Sequence, residues 1–209
     1  MIITGITEVT KARSKIDLDG EFAFVLYKGE LRSYKIKIGN ELKQEDYEEI
    51  IKKILPKRAK LRSLNLLKTK DYTEEQLRRK LKTGLYPDEV IEIAIEYVKG
   101  YHYIDDERYT RQYLEYFQVS KSKKKMMIDL IAKGVSKDLI INVIEELEEE
   151  NKLGGEENLI RKILEKRHYD PDTIDYKGKT KLMTYLLGKG FSMEQICRVM
   201  GESCEEYLT

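Results

Sequence analysis

"LRRKLKTGLYPDEVIEIAIE", residues 77–96, decides how this chain folds. Leu77 and Leu81 stand four apart with cations between them, which is helical spacing. Gly84 then interrupts the pattern, and a second apolar run begins at Val90. A glycine can end a helix by taking the left-handed conformation, and an apolar residue just after it packs back on the last turn. Pro87 suits the first position of a following helix. The stretch therefore predicts helix, turn, helix.

The same layout returns around Gly134 and Gly190, 50 and then 56 positions further on. Three residues before the glycines stand Leu81, Ile131 and Leu187, and seven before stand Leu77, Met127 and Met183. One residue after come Leu85, Val135 and Phe191; six after, Val90, Ile140 and Ile196; nine after, Ile93, Val143 and Val199. Ser136 and Ser192 occupy N-cap positions, and Ser192 with Gln195 forms a capping box. A helical stretch precedes each pair: "KRAKLRSLNLLKT", "DDERYTRQYLEYF" and "EENLIRKILEKR". Three tandem three-helix repeats follow, with "HYDPDTIDYKG" as the insertion that lengthens the second spacing. Units this small bury their faces against neighbours, so stacking into an elongated curved body is expected. "VIEIAIEYV" is apolar nearly all round, as for a helix held between neighbours.

Working back to the N-terminus, "IITGITEV", "RSKIDLDG", "EFAFVLYKG" and "LRSYKIKIG" carry β-branched, alternating patterns. Breaks at Asp19-Gly20, Lys28-Gly29 and Gly39-Asn40 read as turns in a small antiparallel sheet. "QEDYEEIIKKIL" switches to helical spacing and is expected to cover one sheet face. The fold class is thus mainly α: a β head with one helix (residues 1–55) followed by repeats at 56–103, 104–152 and 153–209.

The 209 residues are 41% hydrophobic and 37% charged, enough for packed cores. With 39 basic and 38 acidic side chains the net charge is +1, so any electrostatic function rests on local segregation. No apolar run approaches a membrane span and no signal peptide is recognisable, which points to a cytoplasmic protein with no membrane partner. Cys197 and Cys204 lack nearby histidines and read as free thiols.

"GYHYIDDERYTRQYL", the turns "KLKTG" and "LIAKG", and "IDLDGEFAFVLYKGEL" together resemble RecX, the bacterial regulator of the RecA recombinase, over residues 6–202. The resemblance implies a non-enzymatic protein of three-helix repeats that lies in the groove of RecA filaments and inhibits ATP hydrolysis and strand exchange. Its implied partners are the RecA filament and either the single-stranded DNA within it or DNA bound weakly and directly; a monomer without cofactor is expected. An independent nucleic-acid-binding repeat module and a helical scaffold for another protein stay open as other readings.

From Lys52 to Lys82 twelve cations face three acids. Arg78, Arg79, Lys80 and Lys82 flank the first turn; Lys121, Lys123, Lys124 and Lys125 begin the second helix of repeat two; Lys177, Lys179 and Lys181 do so in repeat three. Lysines there oppose the helix dipole, so helix stability does not explain them. These eleven residues form the candidate surface for filament acids and DNA phosphates, against a purely solvated face. The helices after the turns are apolar and acidic, which argues against major-groove readout.

Asp105, Asp106 and Glu107 read as a helix start rather than a metal site, and "EELEEE" (145–150) as a helix running into solvent. Tyr109, Tyr113, Tyr116 and Phe117 are expected to form a buried face. His102 and His168 lie in different repeats, and no phosphate loop or nucleophile–base set is present, so no catalytic or metal residues are assigned.

Overall fold

A computed structural model describes residues 1–202, which fall into two compact units, the first Met1–Asp105 and the second beginning at Asp106. The first begins with an antiparallel meander, β1 (Ile3–Thr10), β2 (Arg13–Leu18) and β3 (Glu21–Tyr27), in that spatial order. Asp19 (φ 49°) and Gly20 (φ 90°) both lie in the left-handed region between β2 and β3, as a tight Asp-Gly hairpin requires. The fourth expected strand does not form. Lys28–Ser33 is instead a short helix, α1, whose Glu30 carboxylate accepts from the Tyr27 backbone N–H at 2.7 Å. That reach-back cap and the Arg58–Glu30 ion pair favour a helical turn over continued pairing on β3.

The helix expected over the head and the one expected to open the first repeat are one continuous run. α2 (Gln44–Glu49) passes through a π-helical turn (Ile50–Ile54) into α3 (Leu55–Leu67). Proline removes a backbone donor and crowds the preceding turn; the wider π turn just before Pro56 accommodates it without a break. Head and first repeat accordingly share one core, in which Phe24, Leu26, Ile50 and Leu55 pack with Leu77, Leu81 and Ile95.

α4 (Glu74–Thr83) and α5 (Asp88–Gly100) complete the first repeat, with α3 packed along α5. In the second unit α6 (Asp106–Phe117) packs on α8 (Lys137–Glu149) with α7 (Lys123–Ala132) between them in sequence. α9 (Glu156–Lys166), α10 (Tyr176–Gly188) and α11 (Met193–Met200) repeat the arrangement. Leu114, Met126, Leu130 and Leu147 centre one core of this unit, and Ile160, Leu186, Phe191 and Ile196 a second.

Helices end at Thr83, Ala132 and Gly188, each within two residues of an anchoring glycine, but the register of the first repeat is off by one. The left-handed residues are Leu85 (φ 61°), Gly134 (φ 92°) and Gly190 (φ 92°); Gly84 is right-handed at −75°. Backbone hydrogen bonds agree: Tyr86 N–H donates to Leu81 O, Val135 to Leu130 and Phe191 to Leu186. Counted from the left-handed residue, the buried set is Leu81, Leu130 and Leu186 four before, and Leu77, Met126 and Leu182 eight before. Ile131 and Leu187, matched from the glycines, are exposed. Pro87 then aligns with the N-caps Ser136 and Ser192 and is itself the N-cap of α5.

The aromatic stripe of α6 is also rotated from expectation. Thr110 and Leu114 are buried, Tyr109, Tyr113 and Phe117 pack beside them, and Tyr116 is 73% exposed. At about 100° per residue, Tyr116 falls far round the helix from the axis through Thr110 and Leu114. Nor does the acidic run merely extend into solvent. Leu147 is fully buried, Glu146 and Glu150 pair with Arg111, and Glu148 pairs with Lys123.

Candidate anion-binding surface

Seven of the eleven candidate cations are held by carboxylates, and which seven decides what the surface can do. In the first unit Arg78 bridges Glu74 on its own helix (Nη2–Oε1 2.9 Å) and Glu92 on α5 (Nη2–Oε2 2.8 Å). The bond to Glu92 raises its pKa above the ordinary guanidinium value, with burial opposing and Glu74 adding. Arg78 therefore ties α4 to α5. Arg79 pairs with Glu75 at 2.7 Å and Lys82 with Asp88 at 3.4 Å. Lys80 is exposed and, among the described residues, makes no ion pair.

In the second unit Lys121 is a packing residue with a charge. Its ammonium donates to the Asp129 carboxylate at 2.7 Å and to the Tyr113 hydroxyl at 2.9 Å, and sits 4.1 Å from the Phe117 ring centroid. Burial disfavours the charge on Lys121, but hydrogen bonds to Asp129 and Tyr113 outweigh it and raise its pKa. Asp129 mirrors this: burial pushes its carboxyl up, and hydrogen bonds from Lys121, Tyr113 and Lys125 hold it below the usual range. Lys125 pairs with Asp129 at 3.3 Å.

The N-terminus of α7 solves the dipole problem its lysines pose. Ser122 caps it, accepting from Lys125 N–H at 3.1 Å, and the Glu156 carboxylate accepts from Lys123 N–H at 2.7 Å. The side chain of Lys123 is turned to Glu148 of α8. Lys179 is paired with Glu202 at 2.6 Å and is only 18% exposed. Lys124, Lys177 and Lys181 remain exposed, and among the described residues none of them makes an ion pair.

Two features escaped the sequence reading. Tyr185 lies beneath the Arg167 guanidinium, 3.7 Å from ring centroid to Cζ, with Lys189 at 5.4 Å. The hydrogen bond from Arg167 lowers the Tyr185 phenol's pKa, burial opposes it, and the charge of Lys189 adds to the lowering. Adjoining cavities of about 360 and 340 Å³ share Tyr185 and Lys189, one lined also by Ile163 and Lys166, the other by Lys121 and Lys125. Tyr185 and Lys189 are visible in sequence as an i, i+4 pair, but Arg167 arrives from the end of another helix. The second feature is a basic cavity in the first unit.

His102 and His168 are the left-handed residues that close α5 and α9 (φ 54° and 53°). Among the described residues no group of three or more potential ligands could hold a metal ion, and no helix is long and apolar enough to cross a membrane. Cys197 is a buried free thiol; Cys204 lies outside the described residues.

Comparison with known proteins places this geometry in context. A model described as the first three-helix domain of RecX matches residues 59–97, and one described as the third matches residues 155–200. Regulatory protein RecX of Caldanaerobacter subterraneus is 34% identical over 199 residues, covering 94% of this chain and 96% of that protein. Regulatory protein RecX of Clostridium beijerinckii is 28% identical over 198 residues, covering 93% and 91%. A crystal structure of regulatory protein RecX superimposes with a TM-score of 0.59 at 25% identity, covering 96% of this chain and 99% of that one. The RecX structure from Lactobacillus salivarius shares the fold at a TM-score of 0.55 and 19% identity, covering 71% and 96%.

Proposed function

The chain belongs to the RecX family of regulatory proteins, and from that premise we propose that it is a non-enzymatic regulator of RecA. It binds in the groove of RecA filaments, contacts the single-stranded DNA they hold, and inhibits ATP hydrolysis and strand exchange, so modulating recombination and repair. The single observation that carries this reading is the match over nearly the whole chain to a regulatory protein of that family. The three repeats at 56–103, 104–152 and 153–209 each contribute weak contacts, and linked weak contacts add avidity along a polymer.

Within the candidate surface, the working cations are those without carboxylate partners among the described residues: Lys80, Lys124, Lys177 and Lys181. Arg78, Lys121 and Lys179 hold the fold, and Arg79, Lys82, Lys123 and Lys125 are partly neutralised by their acids. Replacing Lys124, Lys177 and Lys181 together by glutamate leaves the fold intact, since exposed substitutions change stability by about 0.5 kcal/mol or less each. Co-sedimentation with RecA on single-stranded DNA across a salt titration is the test. The expected result is at least ten-fold weaker binding and a shallower salt dependence, each lost phosphate contact removing roughly 0.7 from the log–log slope. Superimposable curves for variant and wild type would remove these lysines from the interface.

A further inference from the structure

The first unit contains a cavity of about 550 Å³ between the head, α3 and the first turn, and its wall is cationic. Arg13 comes from β2, Arg58 and Arg62 from one face of α3, and Lys80 from α4, with Tyr86 at the cavity wall. Arg58 is fixed: it donates to Val25 O at 3.2 Å, pairs with Glu30, and lies 4.4 Å over the Tyr27 ring. The other three are not. Among the described residues no carboxylate lies within ion-pair distance of Arg13, Arg62 or Lys80. Burial raises the pKa of the Tyr86 phenol, while the charges of Arg58, Arg13 and Arg62 pull it the other way, so all three guanidiniums act on one point of the wall.

Three unpaired cations around one cavity repel one another unless an anion sits among them. A strand phosphodiester carries one charge per nucleotide, whereas a terminal phosphate monoester carries nearly two at neutral pH and a di- or triphosphate more. Guanidinium forks match phosphate oxygens bidentately. The remaining wall suits what such a phosphate is attached to: Leu61, 59% exposed, is an apolar face, and the Asn65 amide offers both a donor and an acceptor. The volume lies within the usual range for a small-molecule site.

We propose that this cavity binds a nucleoside phosphate with a dense terminal charge, the phosphates held by Arg13, Arg62 and Lys80 against the preset Arg58 and the base lying along Leu61 towards Asn65. The ligand is either a free nucleoside di- or triphosphate or the 5′-phosphorylated end of a strand. The site needs no filament, so its test contains no RecA and stands apart from the function proposed above.

The experiment is calorimetric titration of the full chain with ADP, ATP, inorganic pyrophosphate, and a short oligonucleotide carrying either a 5′-phosphate or a 5′-hydroxyl. Arg62→Glu and Lys80→Glu serve as site variants, Arg62→Gln as a milder one, and Lys37→Glu as an exposed control. Saturable one-to-one binding of at least one phosphorylated probe is expected, weakened ten-fold or more by either reversal, less by Arg62→Gln, and unchanged in Lys37→Glu. Tighter binding of ADP or ATP than of the phosphorylated strand identifies the free nucleotide; the opposite order identifies the strand end. Absence of binding, equal affinity for both oligonucleotides without nucleotide binding, or affinities unaltered in correctly folded site variants would each overturn the proposal.

Discussion

The turns of the first and third repeats have the same backbone hydrogen bonds but are held by different physics. At the third, Gly190 takes φ 92°, and a Cβ there would lie 2.4 Å from Ser122 Oγ and 2.7 Å from Lys125 Cβ. Its glycine is demanded twice, by conformation and by the start of α7 pressed against it, where Ser122 N–H donates to Lys189 O at 3.1 Å. At the first, a leucine takes the left-handed position. The glycine one residue earlier is there for space alone, since a Cβ at Gly84 would meet the Tyr86 ring at 3.1 Å and Leu81 O at 3.0 Å. The two turns share one backbone path, but Gly190 answers to conformation and space together while Gly84 answers to space alone.

That contrast orders the expected effects. Gly190→Ala should cost the most, on the order of 3 kcal/mol, because left-handed strain and overpacking add. Gly134→Val should cost about 1 to 2 kcal/mol through conformation. Thermal melts of the two variants compare them directly, and equal losses would mean that the contact with Ser122 and Lys125 contributes nothing.

The position five residues before each left-handed residue sharpens the comparison. It holds Lys80 in repeat one, Asp129 in repeat two and Tyr185 in repeat three. Lys80 leaves its cavity positive, Asp129 neutralises Lys121 and Lys125, and Tyr185 carries Arg167 on its ring. Asp129→Asn should therefore lower stability at neutral pH by on the order of 2 kcal/mol, the scale of a hydrogen bond to a charged group. The folded-state pKa of Asp129 is held below its ordinary 3.8. Its contribution is complete well above that value and is lost as pH falls through the folded pKa, so the variant and wild type should converge only in strong acid. A gap that stayed constant down to that range would assign the effect to packing.

The smallest effect belongs to the first turn. Leu85→Gly relieves left-handed strain but loses some side-chain packing and adds entropy to the unfolded chain, so the net change should stay within about 0.5 kcal/mol. A loss approaching that of Gly190→Ala would show that the Leu85 side chain, rather than the backbone path, fixes the turn.

Much of the helical layout was legible because its signals are local: glycines beside apolar periodicity, serine N-caps, and the Asp-Gly hairpin. What was not legible depends on residues far apart in the chain. A left-handed leucine carries no sequence flag, so the first repeat was registered on Gly84 rather than Leu85. The fourth strand was lost to a cap made by Glu30 and an ion pair from Arg58, 28 residues away. All eleven cations read alike as one basic surface because sequence shows cations but not their partners; Lys123 meets Glu148 from 25 positions off. Arg58, Leu61, Arg62 and Asn65 repeat at helical spacing, yet their cavity exists only once the head brings Arg13 and the turn brings Tyr86.

The most direct measurement of the proposed function is the rate of ATP hydrolysis by RecA already assembled on single-stranded DNA, followed as this protein is added well below one copy per RecA subunit. Regulation through the filament predicts a steep, saturating fall in rate, diminished in the Lys124→Glu, Lys177→Glu, Lys181→Glu variant. An unchanged rate at stoichiometric protein, with the filament intact and the protein folded, would contradict it.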